Sequence, residues 1–158
     1  MVKIVRYLKM AYSGKFKPTN LEKYKGDWKK IQYRSSWEAY MFKWLDTHPN
    51  VVQWGSETVV IPYFSNADGK KRRYYMDIWC KFDTGQQFFI EIKPFKETQP
   101  PKIPVNNTAA SKKRYINEMY TYSVNRDKWK AAQATADKMG ITFRILTENG
   151  LKKLGWKG

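Results

Sequence analysis

The sequence predicts a single α/β domain, with a mixed central sheet flanked by helices and a basic N-terminal arm. A length of 158 residues suits one domain with a proper core. Helical patterns and short hydrophobic strands occur in the same chain, and a strand directly after the last long helical pattern favours parallel addition to the sheet. Residues 1–34 form the predicted arm and residues 35–158 the domain.

The charge balance indicates a polyanionic partner. Lys and Arg number 30 against 14 Asp and Glu, which gives a formal net charge of +16. Such an excess points most simply to nucleic acid, with a merely solubilising surface as the alternative. A single cysteine and a single histidine exclude an internal disulfide and a Cys/His zinc site. No apolar run approaches the ~20 residues of a membrane span, and the first ten residues do not resemble a signal sequence.

The predicted arm carries half of the net charge. It holds ten Lys and Arg against two acidic residues, a balance of +8. Five aromatic residues lie between these charges: Tyr7, Tyr12, Phe16, Tyr24 and Trp28. Rings and cations together suit contact with nucleic acid. They equally suit an arm that packs its rings on the domain and shows its charges to water.

A helix follows the arm, and a meander of strands follows the helix. Ser35 is the predicted N-cap, and apolar residues recur at helical spacing up to Leu45. A strand over residues 57–64, a strand containing Asp77 and a strand containing Glu91 are separated by turn sequences at 66–69 and 83–85. This order predicts three antiparallel strands.

The C-terminal half contains a loop, two helical patterns and a last strand. Four of the seven prolines fall within residues 94–104, which predicts an extended loop. Residues 112–122 and 125–139 predict two helices, and Gly140 supplies a C-cap for the second. The second helix presents one apolar face, made of Trp129, Ala132, Ala136 and Met139. Residues 141–147 predict the final strand.

Charged residues inside the hydrophobic strands predict a site for phosphodiester cleavage. Asp77 lies in an apolar strand, where an unpaired carboxylate is costly. Glu91 and Lys93 point to the same face of the next strand, because side chains alternate along a strand. Mg²⁺ binds few carboxylates and keeps several waters, so Asp77 and Glu91 can hold it, with the backbone carbonyl of Ile92 as a further ligand. Lys93 then holds the attacking water or the scissile phosphate.

Each of these residues also has a structural interpretation. The triplet Glu91-Ile92-Lys93 is short enough to arise by chance on an exposed strand face, and an Asp77–Lys93 ion pair across the strands is an alternative. Glu38 fits a capping box, in which it would accept a hydrogen bond from the Ser35 N–H. Glu38 also lies on the core-facing stripe of its helix, so it can reach the metal directly or through water.

The order of these residues resembles a nuclease superfamily. Glu38, Asp77 and Glu91-Ile92-Lys93, on helix, strand and strand, are similar to the PD-(D/E)xK nucleases, with Met76 in place of the eponymous proline. A longer series of blocks is similar to the head-completion nucleases of tailed phages, a group related to the endonuclease subunit of a cut-and-paste transposon system. The blocks are YRSSWEAYMFKWLDTHPNVVQW, RRYYMDIW, FFIEIKP, ETQPPKIP, VNRDKWKAA and ITFRILTE.

This resemblance implies a restriction-endonuclease-like fold and cleavage of double-stranded DNA with Mg²⁺, for which Mn²⁺ can substitute. It implies Glu38 as a third acid and a role in finishing packaged heads in the host cytoplasm, with phage head or portal proteins as partners and association with the virion as a further possibility. The alternatives are a non-catalytic DNA-binding head protein and a junction- or flap-specific nuclease. Seven cations are predicted to hold the DNA backbone: Arg34, Arg72, Arg73, Lys96, Lys112, Lys113 and Arg114.

Overall fold

A computed structural model describes residues 12–158, which form a mixed α/β fold. Predictions for the first eleven residues, including the aromatic contact of Tyr7 and any leader, lie outside the described residues. In chain order the strands are β1 (Gly14–Lys15), β2 (Gln32–Tyr33), β3 (Val51–Ser56), β4 (Val60–Ser65), β5 (Lys70–Tyr75), β6 (Ile78–Phe82), β7 (Gln87–Ile92) and β8 (Thr142–Leu146), and the α-helices are α1 (Ser36–Thr47), α2 (Ala109–Met139) and α3 (Glu148–Lys153). None of the helices in this part of the chain is long and apolar enough to cross a membrane.

The central sheet is mixed, as predicted. Its four strands lie in the order β3-β6-β7-β8, with β7 parallel to β8 and the other pairs antiparallel. The turn between β6 and β7 is the predicted one, and Gly85 adopts φ 86° in it, a left-handed conformation that favours glycine. The parallel pairing of β8 confirms the prediction made from the strand that follows the long helix.

The predicted three antiparallel strands do not form one sheet, although both predicted antiparallel connections are present. β4 and β5 form a separate two-stranded hairpin, and β3, which was not predicted as a strand, pairs with β6 in the central sheet. The strand predicted around Asp77 breaks at Met76 and Asp77, so that its first half belongs to the hairpin and its second half to the central sheet. Alternation along a strand indicates its faces but not its partner, because pairing depends on residues far away in the chain.

The two predicted C-terminal helices are one helix, α2, of 31 residues. No glycine or proline separates the two patterns, so the backbone hydrogen bonds continue through residues 123 and 124. Thr108 caps the N-terminus by accepting from the Ser111 N–H, and Gly140 ends the helix at φ 69° as predicted. Ala132 and Ala136 are buried on the predicted apolar face, but Met139 at its end is 61% exposed.

Two apolar clusters cover opposite faces of the central sheet. Phe89 and its neighbours pack with α2 and the β4–β5 hairpin. Ile78 and Cys80 pack on the other face with α1 and α3, as expected for side chains that alternate along the strands. Rings of residues 12–34 join the α1 side: Phe16 lies 5.9 Å and Tyr24 4.8 Å from the buried Trp54, measured between ring centroids. The sheet is therefore enclosed by helices on both faces, and its strand ends remain available for a site.

Candidate active site

The break between the hairpin and the central sheet positions Asp77. Ile78 pairs with Ile90 across β6 and β7, so the antiparallel register brings Asp77 opposite Glu91. Asp77 Oδ2 accepts a hydrogen bond of 2.8 Å from the Ile92 N–H. The structure thus brings the two predicted carboxylates together at one end of the sheet. Ile92 therefore contacts Asp77 through its backbone N–H. The role of its backbone carbonyl as a metal ligand stays a prediction.

Burial and a neighbouring negative charge raise the pKa of Asp77. Burial raises its pKa most, and the charge of Glu91 raises it further, with a smaller contribution from Glu38. The Ile92 N–H and the ammonium of Lys93 act in the opposite direction, and the resulting pKa is about 8. Asp77 therefore holds a proton at neutral pH unless a cation balances the two carboxylates.

Glu91 is held from two sides. It is 6% exposed, and the Tyr74 hydroxyl donates a hydrogen bond to its Oε2. Lys93 Nζ lies 3.5 Å from its Oε1, which places the two side chains on one face as predicted. Among the described residues, Lys93 forms an ion pair with Glu91 and none with Asp77. The alternative of a cross-strand Asp77–Lys93 pair is therefore not observed. Burial of Tyr74 and the charge of Glu91 both raise the pKa of that phenol, which therefore remains a donor.

Glu38 acts as a cap and also lies in the field of the other acids. The Ser35 hydroxyl accepts from the Glu38 N–H at 3.1 Å, which confirms the N-cap. The Glu38 carboxylate accepts from the Arg34 N–H at 2.9 Å, one residue before the predicted partner. Burial raises the pKa of Glu38, and the charges of Glu57 and Glu91 add to this. Its role as a third acid stays a prediction.

The donor set suits Mg²⁺ on two carboxylates. The described residues contain no group of three His, Cys, Asp or Glu side chains placed to hold one ion, and Glu38 belongs to α1, which packs on the sheet face opposite to Phe89. Asp77 and Glu91 offer only oxygen donors, which Mg²⁺ prefers, and it commonly takes one or two carboxylates with waters completing its shell. A cation there would also relieve the repulsion that raises the pKa of Asp77.

Sequence reasoning missed Glu57 and Tyr74. Glu57 has φ 55°, and its N–H donates to the carbonyls of Met76 and Asp77 at 3.2 and 3.3 Å. A non-glycine residue in this conformation is strained and often lies near a functional site. Its carboxylate forms an ion pair with Arg34. No sequence signal marks Glu57, whereas Tyr74 has the alternation of an inward-facing strand residue and could have been named as a partner for a buried acid.

The seven predicted DNA-binding cations do not share one surface. Arg34 is paired with Glu57, and Arg72 is paired with Asp68, whose pKa falls to about 2 because of that contact. Arg73 lies exposed on the hairpin. The other four belong to two neighbouring segments: Lys96 in the short 3-10 turn Phe95–Thr98, and Lys112, Lys113 and Arg114 at the start of α2.

A cleft is lined by two of these cations, Lys96 and Arg114. It has a volume of about 1070 Å³ and lies between the proline-rich loop and α2. Pro94, directly after Lys93, lines one end, and Lys96 and Arg114 line its walls. Lys112 and Lys113 are exposed outside it. The loop that the prolines predict therefore forms one wall of an open cleft, whose lining starts at the residue after Lys93.

The chain is similar to known endonucleases over most of its length. Residues 48–148 match the family described as TnsA-like endonuclease N terminal. The chain is also 66% identical over 149 residues to the head completion nuclease of Enterobacteria phage T4, an alignment that covers 94% of this chain and 99% of that protein. The matched region contains Asp77, Glu91 and Lys93, together with the sheet that brings them together. The chain belongs to the TnsA-like endonuclease family.

Proposed function

We propose that this protein is a Mg²⁺-dependent DNA endonuclease that acts in phage head completion after DNA packaging. The observation that carries the proposal is the register of β6 and β7, which brings Asp77 opposite Glu91 at the end of the sheet, with Lys93 Nζ 3.5 Å from Glu91. The similarity to the T4 head completion nuclease supports the biological role. The net charge of +16 supports a DNA substrate.

Each residue of the site has a distinct task in this proposal. Asp77 and Glu91 hold the ion, which when bound supplies charge stabilisation at phosphorus and favours ionisation of a water. The Ile92 N–H orients Asp77, and the Tyr74 hydroxyl orients Glu91. Lys93, whose side chain is 22% exposed, exchanges its contact with Glu91 for one with the scissile phosphate or the attacking water.

The setting follows from the same similarity. Double-stranded DNA is the proposed substrate, and head or portal proteins are the proposed partners during assembly in the host cytoplasm. Mn²⁺ is expected to replace Mg²⁺, because it accepts the same oxygen donors. The cleft that begins at Pro94 offers Lys96 and Arg114 to the DNA backbone next to the cleavage site.

Nicking of supercoiled plasmid tests the proposal. With Mg²⁺ the wild type should nick or linearise the plasmid, and EDTA should stop it. Asp77→Asn should abolish cleavage, and Lys93→Ala should slow it by about 10²-fold or more. Asp83→Asn, which changes an exposed carboxylate in the turn of the same β6–β7 hairpin, should cleave like the wild type.

Direct titration with Mn²⁺ or Mg²⁺ separates metal binding from catalysis. Calorimetry should show heat of binding to the wild type and to Asp83→Asn, and much weaker binding to Asp77→Asn. Undiminished cleavage by both Asp77→Asn and Lys93→Ala would contradict the site. Tight DNA binding with no cleavage under any divalent ion would leave a non-catalytic DNA-binding protein. Faster cleavage of branched than of linear duplexes would redefine the substrate as a junction or flap.

A further inference from the structure

The β4–β5 hairpin has one face that packs on nothing in the described residues. We call it the hairpin outer face. Direct cross-strand partners place three pairs of residues on it: Val60 with Tyr75, Pro62 with Arg73, and Phe64 with Lys71. All six are exposed. The remaining strand residues point the other way, since side chains alternate along both strands.

The hairpin outer face combines apolar rings with cations. Val60, Phe64 and Tyr75 are 45%, 52% and 50% exposed, which is unusual for three large apolar residues in one small patch. Lys71 lies opposite Phe64 and Arg73 lies in the middle of the face opposite Pro62, and neither cation has an ion-pair partner among the described residues. None of the six residues that form this face is acidic. The partner it fits is therefore negatively charged and also offers apolar surface.

The opposite face holds the hairpin rigidly against the protein. Ile61, Tyr63 and Tyr74 are buried in the cluster that includes α2. The tip is tied down as well, because Asn66 donates two hydrogen bonds of 2.9 and 3.1 Å to Asp127 of α2. Arg72, next to Arg73, belongs to this inner side and is neutralised by Asp68. A preorganised ribbon loses little conformational freedom when a partner docks on it.

We propose that the hairpin outer face docks duplex DNA by entering its major groove, an inference that rests on DNA being the substrate. The major groove admits a two-stranded β-ribbon. Six residues of strand span ~20 Å, the length of about six base-pair steps. Lys71 and Arg73 contact phosphates, while Phe64 and Tyr75 contact base edges, including thymine methyl groups. Tyr75 precedes Asp77 by two residues, so the ribbon leads directly to the candidate active site.

Salt-dependent DNA binding tests this surface without relying on cleavage. The full chain carrying Asp77→Asn is titrated, in EDTA, into a fluorescein-labelled duplex, and anisotropy gives the affinity at several NaCl concentrations. Lys71→Gln and Arg73→Gln should each lower the slope of log affinity against log salt by about 0.9. Tyr75→Ala should weaken binding about fivefold with an unchanged slope.

Lys43→Gln is the control, since it removes one exposed cation from α1, which packs on the face of the central sheet opposite to the hairpin. Its slope should equal that of the starting protein. Thermal unfolding of each variant establishes that the fold is retained, as expected for exposed substitutions. Equal slopes for Lys71→Gln, Arg73→Gln and Lys43→Gln, or no DNA binding at all, would overturn the docking surface.

The two proposals fail in different ways. If the slopes change as expected but the wild type cuts no DNA with any divalent ion, the hairpin outer face stands and the nuclease proposal falls. If the wild type cuts plasmid while all hairpin variants bind DNA like the starting protein, the nuclease proposal stands and the docking surface is overturned.

Discussion

Asp77 is buried, lies next to a like charge and sits where one strand ends and the next begins. It ends the hairpin and begins the central sheet, and its carboxylate faces the buried Glu91. Because its pKa is about 8, a cation that binds there must displace a proton near neutral pH. The apparent affinity for Mg²⁺ should therefore rise with pH until Asp77 is fully ionised.

The first residue-scale prediction concerns stability and pH without metal. The folded-state pKa of Asp77, about 8, exceeds its ordinary value of 3.8, so the folded protein binds this proton more tightly than the unfolded chain does. The stabilisation that comes from binding this proton is complete below about pH 4 and is lost as the pH rises through about 8. In EDTA, the Tm of Asp77→Asn should rise relative to the Tm of the wild type as the pH increases from about 4 to about 8. Asp83→Asn should show no such trend in a thermal scan.

The second residue-scale prediction concerns Tyr74, the buried hydrogen-bond partner of Glu91. Tyr74→Phe removes the hydroxyl that donates to Glu91 and leaves a carboxylate oxygen without that donor. The free energy of unfolding should fall by about 1.5–3 kcal/mol in urea denaturation, and Mg²⁺-dependent cleavage should fall by about 10–100-fold. Tyr75→Phe alters the adjacent exposed ring and should change stability by less than about 0.5 kcal/mol. Equal stabilities of the two variants would contradict the orienting role of Tyr74.

At the scale of elements, α2 connects the cleft with the core. Its N-terminal half lines the cleft from Arg114 to Asn125, whereas Ala132 and Ala136 are fully buried against the sheet. These small side chains let the helix lie close to β8, which is the neighbour of the strand that carries Glu91. The end of α2 matters as well, because Gly140 turns the chain directly into β8 and the Ile141 N–H bonds to the Ala136 carbonyl at 2.9 Å.

Gly140→Ala tests that turn. An added Cβ would meet no atom within 4 Å, so only the conformation at φ 69° opposes it. The variant should lose about 1–2 kcal/mol of unfolding free energy. Gly140→Asn should lose less, since asparagine tolerates the left-handed region better. Urea denaturation of both variants checks the order, and an alanine variant as stable as the wild type would contradict it.

At the scale of the whole molecule, the N-terminal segment and the domain share one core. Phe16 contacts Phe42 of α1 at 5.7 Å and Trp54 of β3 at 5.9 Å between ring centroids, and Ile31 is 2% exposed. The Phe16 N–H also bonds to the Ile31 carbonyl at 3.0 Å. Four rings of this segment thus pack on the domain, namely Phe16, Tyr24, Trp28 and Tyr33, whereas Tyr12 is exposed. Most of the lysines of residues 12–34 face solvent.

Phe16→Ala tests whether the segment and the domain unfold together. The half-buried ring should contribute about 1–3 kcal/mol, less than a fully buried Phe. Near-UV and far-UV circular dichroism should report one coincident transition at a lower Tm. Tyr12→Ala, which alters an exposed ring of the same segment, should leave the Tm nearly unchanged. Two separate transitions in the wild type would show that the arm is an independent unit.

Local features of the protein could be predicted from the sequence, because they depend on neighbouring residues. The caps at Ser35 and Gly140, the turn before β7 and the shared face of Glu91 and Lys93 all follow from short-range geometry. The parallel β8 follows from the handedness and length of a helical connection. The two main carboxylates of the candidate site are therefore identifiable from residue order and strand alternation alone.

Features that join distant parts of the chain were decided by the tertiary structure. The pairing of β3 with β6, the Arg34–Glu57 ion pair and the Tyr74–Glu91 contact each join residues that are far apart in sequence. Packing also decides which cations are free: Arg72 and Arg73 alternate along the ribbon, but burial of its inner face against α2 is what leaves Arg73 on the exposed side. Sequence determined which groups could perform the chemistry; pairing of distant strands decided which of them meet, because strand register and sheet partners are properties of the folded chain.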